Sequence, residues 1–268
     1  MLKMLFWNIN GKPLVDALRW LCHVYEPHIL ILAECRIPDA ELLLSINSEL
    51  QRSYIIPPND RAKRVKFLHR LAIDSWRILE DRERFAIRTV QAFGCPEIII
   101  AAVHHQSKLH CDDYAQAVLM QRMVRVLEGR EEQCGHQRSL VVGDLNMNPF
   151  EPGLCSSESL HAVMCKRIAS RLDRTVRGEK RGYFYNPMWS LLGDESPGPP
   201  GTHFYRGDIV SYFWNTFDQV LFRPELAAGF QAGDVEVVAE VNGEPLITDT
   251  GLANGFSDHL PLVFNVRS

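Results

Sequence analysis

The sequence predicts an α/β fold in which two β-sheets pack together and helices flank them. Short apolar runs typical of strands recur along the whole chain, and they alternate with longer segments whose apolar residues recur at helical spacing. Elements mixed in this way pack as layers around a core. With 46% hydrophobic residues, 268 residues are enough to bury a substantial core.

The first half of the chain begins with a predicted strand at 2–6, a helix at 14–25 and a strand at 28–32. Gly11-Lys12-Pro13 suits the start of that helix and Pro27 its end. A second helix is predicted at 39–51. Further strands are predicted at 55–56, 72–73, 85–90 and 97–103.

The second half continues the alternation, with predicted helices at 112–128 and 159–172 on either side of a strand at 140–142. Residues 182–206 are rich in proline and glycine and predict a long loop, because strand-like sequence resumes after it. Strands at 217–222, 235–241 and 262–266 complete the series.

The charge pattern does not indicate a basic field over the whole protein, since the formal net charge is -4. Two segments are locally basic. Residues 61–70 hold five basic and no acidic residues, and residues 161–182 hold seven basic against two acidic ones. Such segments could contact a phosphate backbone, although basic runs are more often solvated surface.

The seven cysteines are odd in number and contain no Cys-x-x-Cys pair, which favours reduced thiols and predicts a cytoplasmic protein. Functional sequence is predicted from Asn8 onward, which leaves no room for a signal peptide. No apolar stretch approaches the ~18 residues that would span a bilayer, so no membrane insertion is expected.

Polar side chains flank the ends of four predicted strands: Asn8, Glu34, Asp144 with Asn146, and Asp258 with His259. Strand ends deliver side chains to clefts, so the recurrence predicts one shared site. The carboxylate and amide oxygens in this set suit Mg²⁺, or Mn²⁺ in its place, whereas zinc is disfavoured by the lack of paired Cys/His spacing. Because the site draws on both ends of the chain, residues 1–268 are predicted to form a single domain.

Each of these residues also has a structural interpretation. Glu34 could be an exposed residue just past a strand. Asp144 could cap a turn in its Gly-Asp-x-Asn loop. A lone histidine such as His259 more often has a satisfied structural role than a catalytic one.

The motifs taken together resemble the endonuclease/exonuclease/phosphatase superfamily of metal-dependent phosphoesterases. They follow the family's order along the chain: Trp7-Asn8-Ile9-Asn10, Leu32-Ala33-Glu34, Val103-His104, Gly143-Asp144-Leu145-Asn146-Met147-Asn148-Pro149, Phe217-Asp218-Gln219-Val220-Leu221 and Ser257-Asp258-His259-Leu260-Pro261. The resemblance implies a four-layered α/β sandwich of two mixed sheets flanked by helices.

The resemblance also implies roles for the individual residues. The metal shell would comprise Asn8, Glu34 and Asp258. The catalytic set would be His104, Asp144, Asn146, Asp218 and His259. In that set Asp144 positions or deprotonates the attacking water, Asp218 orients His259, and His104 binds phosphate or assists the leaving group. His105 is the alternative to His104 if the register differs by one. Whether His259 is the general base or stabilises the transition state stays open.

The favoured substrate is nucleic acid, DNA or RNA, cleaved by an activated water. The predicted substrate contacts are Arg171 and Arg174 from the second basic segment, Trp189 for stacking on unpaired bases, and Thr202. The first alternative is a phosphatase or phosphodiesterase acting on a small or lipid-borne phosphate. A catalytically inactive binding module is the second alternative, and the sequence specifies no protein partner.

Overall fold

The computed structural model describes residues 1–48, 50–58, 60–92, 94–207, 209, 211–248 and 251–267. Its helices are α1 (Val15–Tyr25), α2 (Asp39–Ile46), α3 (Asp113–Cys134), α4 (Pro152–Cys155), α5 (Lys166–Ala169) and α6 (Pro224–Ala227), with 3-10 turns at Ile73–Ser75 and Pro187–Leu191. Its strands are β1 (Leu2–Asn8), β2 (Ile29–Ala33), β3 (Val65–His69), β4 (Trp76–Asp81), β5 (Phe85–Val90), β6 (Ile98–His104), β7 (Ser139–Asp144), β8 (Ala162–Val163), β9 (Asp173–Val176), β10 (Glu179–Gly182), β11 (Phe184–Tyr185), β12 (His203–Tyr205), β13 (Phe213–Asn215), β14 (Asp218–Phe222), β15 (Val235–Val237), β16 (Glu240–Val241), β17 (Glu244–Pro245), β18 (Ile247–Thr248), β19 (Gly251–Leu252) and β20 (Leu262–Val266).

Two large mixed sheets form from these strands. The first sheet has the order β15-β20-β1-β2-β3, with β1 and β2 parallel and the other pairs antiparallel. The second sheet has the order β4-β5-β6-β7-β14-β11-β8, with β6 and β7 parallel at its centre. Both sheets are mixed, and the α/β fold class predicted from the sequence is confirmed.

The two sheets share one apolar core. Phe6 and Leu30 of the first sheet and Ile100, Val142 and Val220 of the second belong to the same buried cluster. A second cluster joins the outer face of the second sheet to α3. The layers are therefore α1 with α2, the first sheet, the second sheet and α3, as expected for faces that each bury apolar side chains.

The ends of the two long helices follow local sequence signals. Helix α1 ends at Glu26, which has left-handed backbone angles (φ 46°) directly before Pro27. Helix α3 begins at Asp112, whose side chain accepts a hydrogen bond from the Ala115 N–H (2.7 Å), and ends at Gly135 (φ 75°). Among the described residues, no helix is both long enough and apolar enough to cross a membrane.

The helix predicted at 159–172 is wrong. Only Lys166–Ala169 is helical, and Ala162–Val163 forms strand β8 instead. His161 (φ 48°) and Leu172 (φ 70°) have left-handed backbone angles, which an α-helix cannot contain, so no helix extends over the whole segment. The apolar residues there have helical spacing, but only some of them, such as Leu160 and Ala162, are buried, whereas Met164 and Leu172 are exposed.

Strands β3 and β4 were missed, and the strand predicted at 72–73 is a 3-10 turn, Ile73–Ser75. The basic segment 61–70 contains strand β3, in which Lys66 is the one residue that is not buried. Lys66 pairs with Asp39 (2.5 Å), and Phe67 beside it is fully buried. The strand predicted at 235–241 is divided into β15 and β16.

Candidate active site

The predicted polar residues meet where strands of both sheets end. In the first sheet Asn8 pairs in register with Ala33, which places Glu34 beside Asn8. In the second sheet Asp144 pairs with His104 on one side and with Asp218 on the other. The common edge follows from the parallel pairs at the centre of each sheet, since parallel strands end at the same side.

Gly143 allows this close arrangement. A side chain at this position would place its Cβ 1.9 Å from the backbone oxygen of Val103, and the φ of 148° disfavours any other residue. The glycine thereby lets β7 approach β6 closely, just before Asp144. This brings Asp144 and His104 to adjacent positions at the edge of the sheet.

Asn8 connects the two sheets. Its side-chain amide donates to Asp144 Oδ2 (2.9 Å) and lies 3.3 Å from Glu34 Oε1. Asn8 is fully buried, whereas the Glu34 side chain is one-third exposed. Glu34 also has a left-handed backbone (φ 51°), which is strained for a glutamate and is typical of functional sites. The Glu34 carboxylate is thus held at the open side of the cluster.

Asp218 and His259 form a buried pair. His259 Nδ1 lies 2.8 Å from Asp218 Oδ2, a distance at which the Nδ1–H donates to the carboxylate. Burial disfavours the imidazolium, but the carboxylates of Asp218 and Asp144 outweigh this and raise the pKa of His259 to about 10. The pair is fixed from both sides, because Asp218 N donates to Thr202 Oγ1 (2.9 Å) and His259 N to Ser257 Oγ (3.1 Å).

Asp144 is a second buried carboxylate of the cluster. Its Oδ1 accepts a hydrogen bond from Asn146 N (2.9 Å), and His259 Nε2 lies 3.9 Å from its Oδ2. Burial raises the pKa of the Asp144 carboxyl, and the charge of Asp218 acts in the same direction, whereas His259 partly offsets them. The Asn146 side chain points to the backbone of the next strand end, where it donates to His105 O (3.2 Å).

His104 completes the edge formed by the second sheet. Its Nε2 lies 3.4 Å from Glu34 Oε1 and 3.7 Å from Asp144 Oδ2. Burial lowers the pKa of His104, and the nearby Arg84 adds to this effect while Asp144 opposes it. His105, the alternative in the sequence analysis, is buried, and burial lowers its pKa to about 4. Of His104 and His105, His104 is therefore the one that faces the cluster.

Two residues of the site were not predicted from the sequence. His203 lies with its Nε2 3.9 Å from Asp258 Oδ2, and its ring is 4.5 Å from that of His259. Asn10 donates from its side chain to Asp258 Oδ1 (2.9 Å). His203 directly follows Thr202, but it lies on the short strand β12, which has no recognisable periodicity.

The cluster fits a divalent cation. Among the described residues, two groups of side chains have candidate ligand atoms within 4.8 Å of one another: Asp144, Asp218 and His259, and His203, Asp258 and His259. His259 is protonated at its raised pKa, so the carboxylates of these groups and that of Glu34 are the candidate ligands. Asp218 Oδ1 is buried and has no hydrogen-bond partner within the described part of the chain, and the raised pKa of Asp144 reflects the cost of burying negative charge. A cation would remove this cost, and oxygen ligands favour a hard ion.

The predicted substrate contacts lie in different places. Arg171 and Arg174 are exposed near the β9–β10 hairpin. The base of this hairpin contacts Arg223, since Arg223 Nη1 donates to Tyr183 O (3.5 Å). Arg223 follows the far end of β14, roughly 16 Å from Asp218 at the rise of an extended strand. The structure therefore does not bring the two arginines to the acidic cluster.

Thr202 and Trp189 are closer to the site. Thr202 is fully buried, so its hydroxyl supports Asp218 rather than facing the cleft. The Trp189 ring lies 6.3 Å from Phe150, which is itself 5.9 Å from Tyr212. Phe150 and Tyr212 line a pocket with Asn148 of the Asp144 loop, so Trp189 belongs to an aromatic group that adjoins this loop.

A known protein family matches nearly the whole chain. The model of the Endonuclease/Exonuclease/phosphatase family matches residues 5–259. No curated protein matched the sequence.

Solved structures resemble the whole chain at low identity. The human Nocturnin catalytic domain with bound sulfate is 15% identical with a TM-score of 0.55, covering 99% of this chain and 94% of the other. D. rerio TDP2 complexed with a single strand DNA product is 15% identical with a TM-score of 0.54, covering 100% and 99%. An AP endonuclease from Archaeoglobus fulgidus is 15% identical with a TM-score of 0.55, covering 100% of both chains. At these identities the similarity shows the fold.

Proposed function

Because the chain belongs to the Endonuclease/Exonuclease/phosphatase family, whose members hydrolyse phosphate esters, we propose that it is a Mg²⁺-dependent phosphodiester hydrolase and a nuclease. The observation that carries the proposal is the convergence of the Asp218–His259 pair with Asp144 at the edge shared by the two sheets. Mn²⁺ is expected to substitute for Mg²⁺. The bound ion would neutralise charge on the phosphoryl oxygens.

Glu34, Asn8 and Asp258 are the residues proposed to hold the metal. Glu34 and Asp258 offer carboxylate oxygens at the open side of the cluster. Asn8 fixes Glu34 and Asp144 relative to each other through one amide group. This arrangement places the proposed metal ligands next to the buried catalytic groups.

Asp144 is proposed to orient the attacking water, since a buried carboxylate with a raised pKa accepts a proton more readily. Asn146 holds Asp144 through its backbone N–H (2.9 Å). Asp218 fixes the tautomer of His259 and directs His259 Nε2 towards the phosphate. The imidazolium can then donate a hydrogen bond to the developing charge. His104, on the opposite side of Asp144, is placed to contact a phosphate oxygen or the leaving group.

Nucleic acid is the proposed substrate. TDP2 and the AP endonuclease share this fold, and the TDP2 structure contains a DNA product. The aromatic group of Trp189, Phe150 and Tyr212 beside the cluster offers faces on which unpaired bases can stack.

The test compares cleavage of labelled single-stranded DNA, duplex DNA and RNA in Mg²⁺, in Mn²⁺ and in EDTA, together with hydrolysis of bis-p-nitrophenyl phosphate. Asp144→Asn should abolish every metal-dependent activity. Asp234→Asn is a matched control, because Asp234 is another buried aspartate but pairs with Arg267 (2.8 Å). Metal-dependent turnover of the small ester without cleavage of any polymer would contradict the nuclease assignment and favour a small-molecule phosphoesterase.

A further inference from the structure

Two arginines lie at strand ends next to the cluster, and the proposed chemistry does not use them. Arg84 directly precedes β5, and its backbone oxygen accepts a hydrogen bond from His104 N (2.9 Å). Arg64 directly precedes β3, whose first residue, Val65, pairs with Ala33 beside Glu34. The two arginines therefore occupy the side of the cluster formed by His104 and Glu34.

Among the described residues, Glu83 and Glu34 act on the Arg84 side chain through their charge, but neither is in direct contact with it. It is half-buried, and within the described part of the chain it makes neither an ion pair nor a side-chain hydrogen bond. A buried or half-buried guanidinium is normally paired. Arg88, on the same strand, shows the usual pattern, since it pairs with Asp60 (2.7 Å).

The surroundings of Arg84 make the missing partner more costly. Burial lowers the pKa of Arg84, and the positive charge of Arg64 adds to this effect, while the charges of Glu83 and Glu34 oppose it without reversing it. Arg64 has only an exposed contact with Glu83 (3.6 Å), which contributes little. Two cations close together beside a phosphate site indicate that an anion belongs between them.

We propose that Arg84 and Arg64 bind a second phosphate, adjacent to the scissile one, on a nucleic-acid strand. A guanidinium presents two parallel N–H groups that match two phosphate oxygens, so Arg84 can bind a strand phosphate through a fork of hydrogen bonds. The subsite lies on the His104 side, and the aromatic group lies on the side of the Asp144 loop. A strand crossing the cluster would thus meet charge on one side and aromatic rings on the other.

This inference rests on the proposed function and refines its substrate. A substrate with a single phosphodiester, such as bis-p-nitrophenyl phosphate, has no group for the second site. An oligonucleotide has one on each internal residue. The arginine pair therefore selects polymers through binding and leaves the chemistry of the small ester unchanged.

The first measurement is binding of a fluorescein-labelled single-stranded DNA decamer in EDTA, followed by anisotropy over a range of salt concentrations. Arg84→Ala should weaken binding about tenfold, the size expected for one lost charge-assisted contact. It should also reduce the slope of log affinity against log salt by about 0.7, the value for one phosphate of a single strand. Arg82→Ala is the matched control, since Arg82 lies two residues away with its side chain 59% exposed and paired with Glu80 (2.8 Å).

The second measurement is hydrolysis of bis-p-nitrophenyl phosphate by the same variants in Mg²⁺, with melting temperatures to confirm folding. Arg84→Ala should retain the wild-type kcat/KM on this ester. An equal loss on ester and decamer would mean that Arg84 supports Glu34 or His104, and would overturn the inference. Equal decamer binding by the Arg84→Ala and Arg82→Ala proteins would overturn it as well.

The two proposals fail in different ways. A wild-type protein that binds the decamer but hydrolyses neither substrate refutes the proposed function, while the comparison of the arginine variants in EDTA still decides the subsite. A wild-type protein that cleaves the ester but does not bind the decamer refutes the subsite. The expected result is tight binding that depends on Arg84 and not on Arg82.

Discussion

Replacing Asp218 by asparagine is the sharpest perturbation of the proposed catalytic pair. The substitution keeps the size of the side chain and removes its charge, 2.8 Å from His259 Nδ1. Asp218 is fully buried, so no water can replace the lost interaction directly.

The structure sets the expected magnitude. The difference between a pKa of about 10 and the ordinary value near 6.5 corresponds to about 5 kcal/mol in favour of the imidazolium. Asp218 makes the largest favourable contribution, followed by Asp144. Loss of roughly half of this stabilisation would slow the reaction by about 10². We therefore expect Asp218→Asn to lower kcat by about 10².

The assay is single-turnover hydrolysis of bis-p-nitrophenyl phosphate in Mg²⁺, with Asp234→Asn as the control for a buried aspartate outside the site. Asp234 lies near Arg267 at the opposite end of β20 from His259, so its replacement should lower stability and leave kcat unchanged. If Asp218→Asn retains kcat within tenfold of wild type, with an unchanged melting temperature, the assignment of His259 as a charged participant is refuted.

Three further predictions concern stability. Burial lowers the pKa of His69 to about 4, so the unfolded chain binds the proton first. The contribution of His69 to stability should be complete above about pH 6.5 and fall as the pH drops towards 4. His69→Asn, which keeps an acceptor near Nδ1, should make the plot of melting temperature against pH less steep, although His105 and His203 still titrate in this range, and an equally steep curve would contradict this. Gly143→Ala should destabilise the fold by more than about 3 kcal/mol in urea unfolding, since its Cβ would overlap a backbone oxygen, whereas Gly129→Ala in open space should not. Arg223→Met should lower the free energy of unfolding by about 3–5 kcal/mol, because it leaves Glu131 buried and unpaired. Adding Glu131→Leu should recover most of this loss of stability. A double variant that recovers nothing would argue against the buried pair as the cause.

Much of the site could be predicted because its residues directly flank strands with strong apolar signals. Asn8, Glu34 and Asp144 each end such a run, and strand ends that share an edge bring their side chains together. His203 could not be found in this way, since β12 is short and its position depends on a bridge to His259. The sequence contains no local trace of such a long-range contact.

The two basic segments show a second limit on what the sequence can predict. Local charge counts cannot tell at which end of a strand a residue lies, and Arg171 and Arg174 lie near the wrong end of the sheet for the cluster. The charge pattern of the sequence does not single out Arg84, because the adjacent Glu83 offsets its charge. Only the fold shows that its backbone pairs with His104. The helix predicted at 159–172 failed for a related reason, since apolar spacing cannot reveal a left-handed residue such as His161.

The two ends of the chain meet in the site, and this has a consequence for protein synthesis. Trp7 Nε1 donates to His259 O (2.9 Å) and Ser257 Oγ donates to Asn8 O (2.6 Å), contacts that join residues about 250 positions apart. Strand β20 must insert between β15 and β1 before these contacts can form. A nascent chain whose residues 257–266 are still inside the ribosome therefore lacks half of the catalytic pair. The proposed activity should therefore appear only after residues 257–266 have left the ribosome.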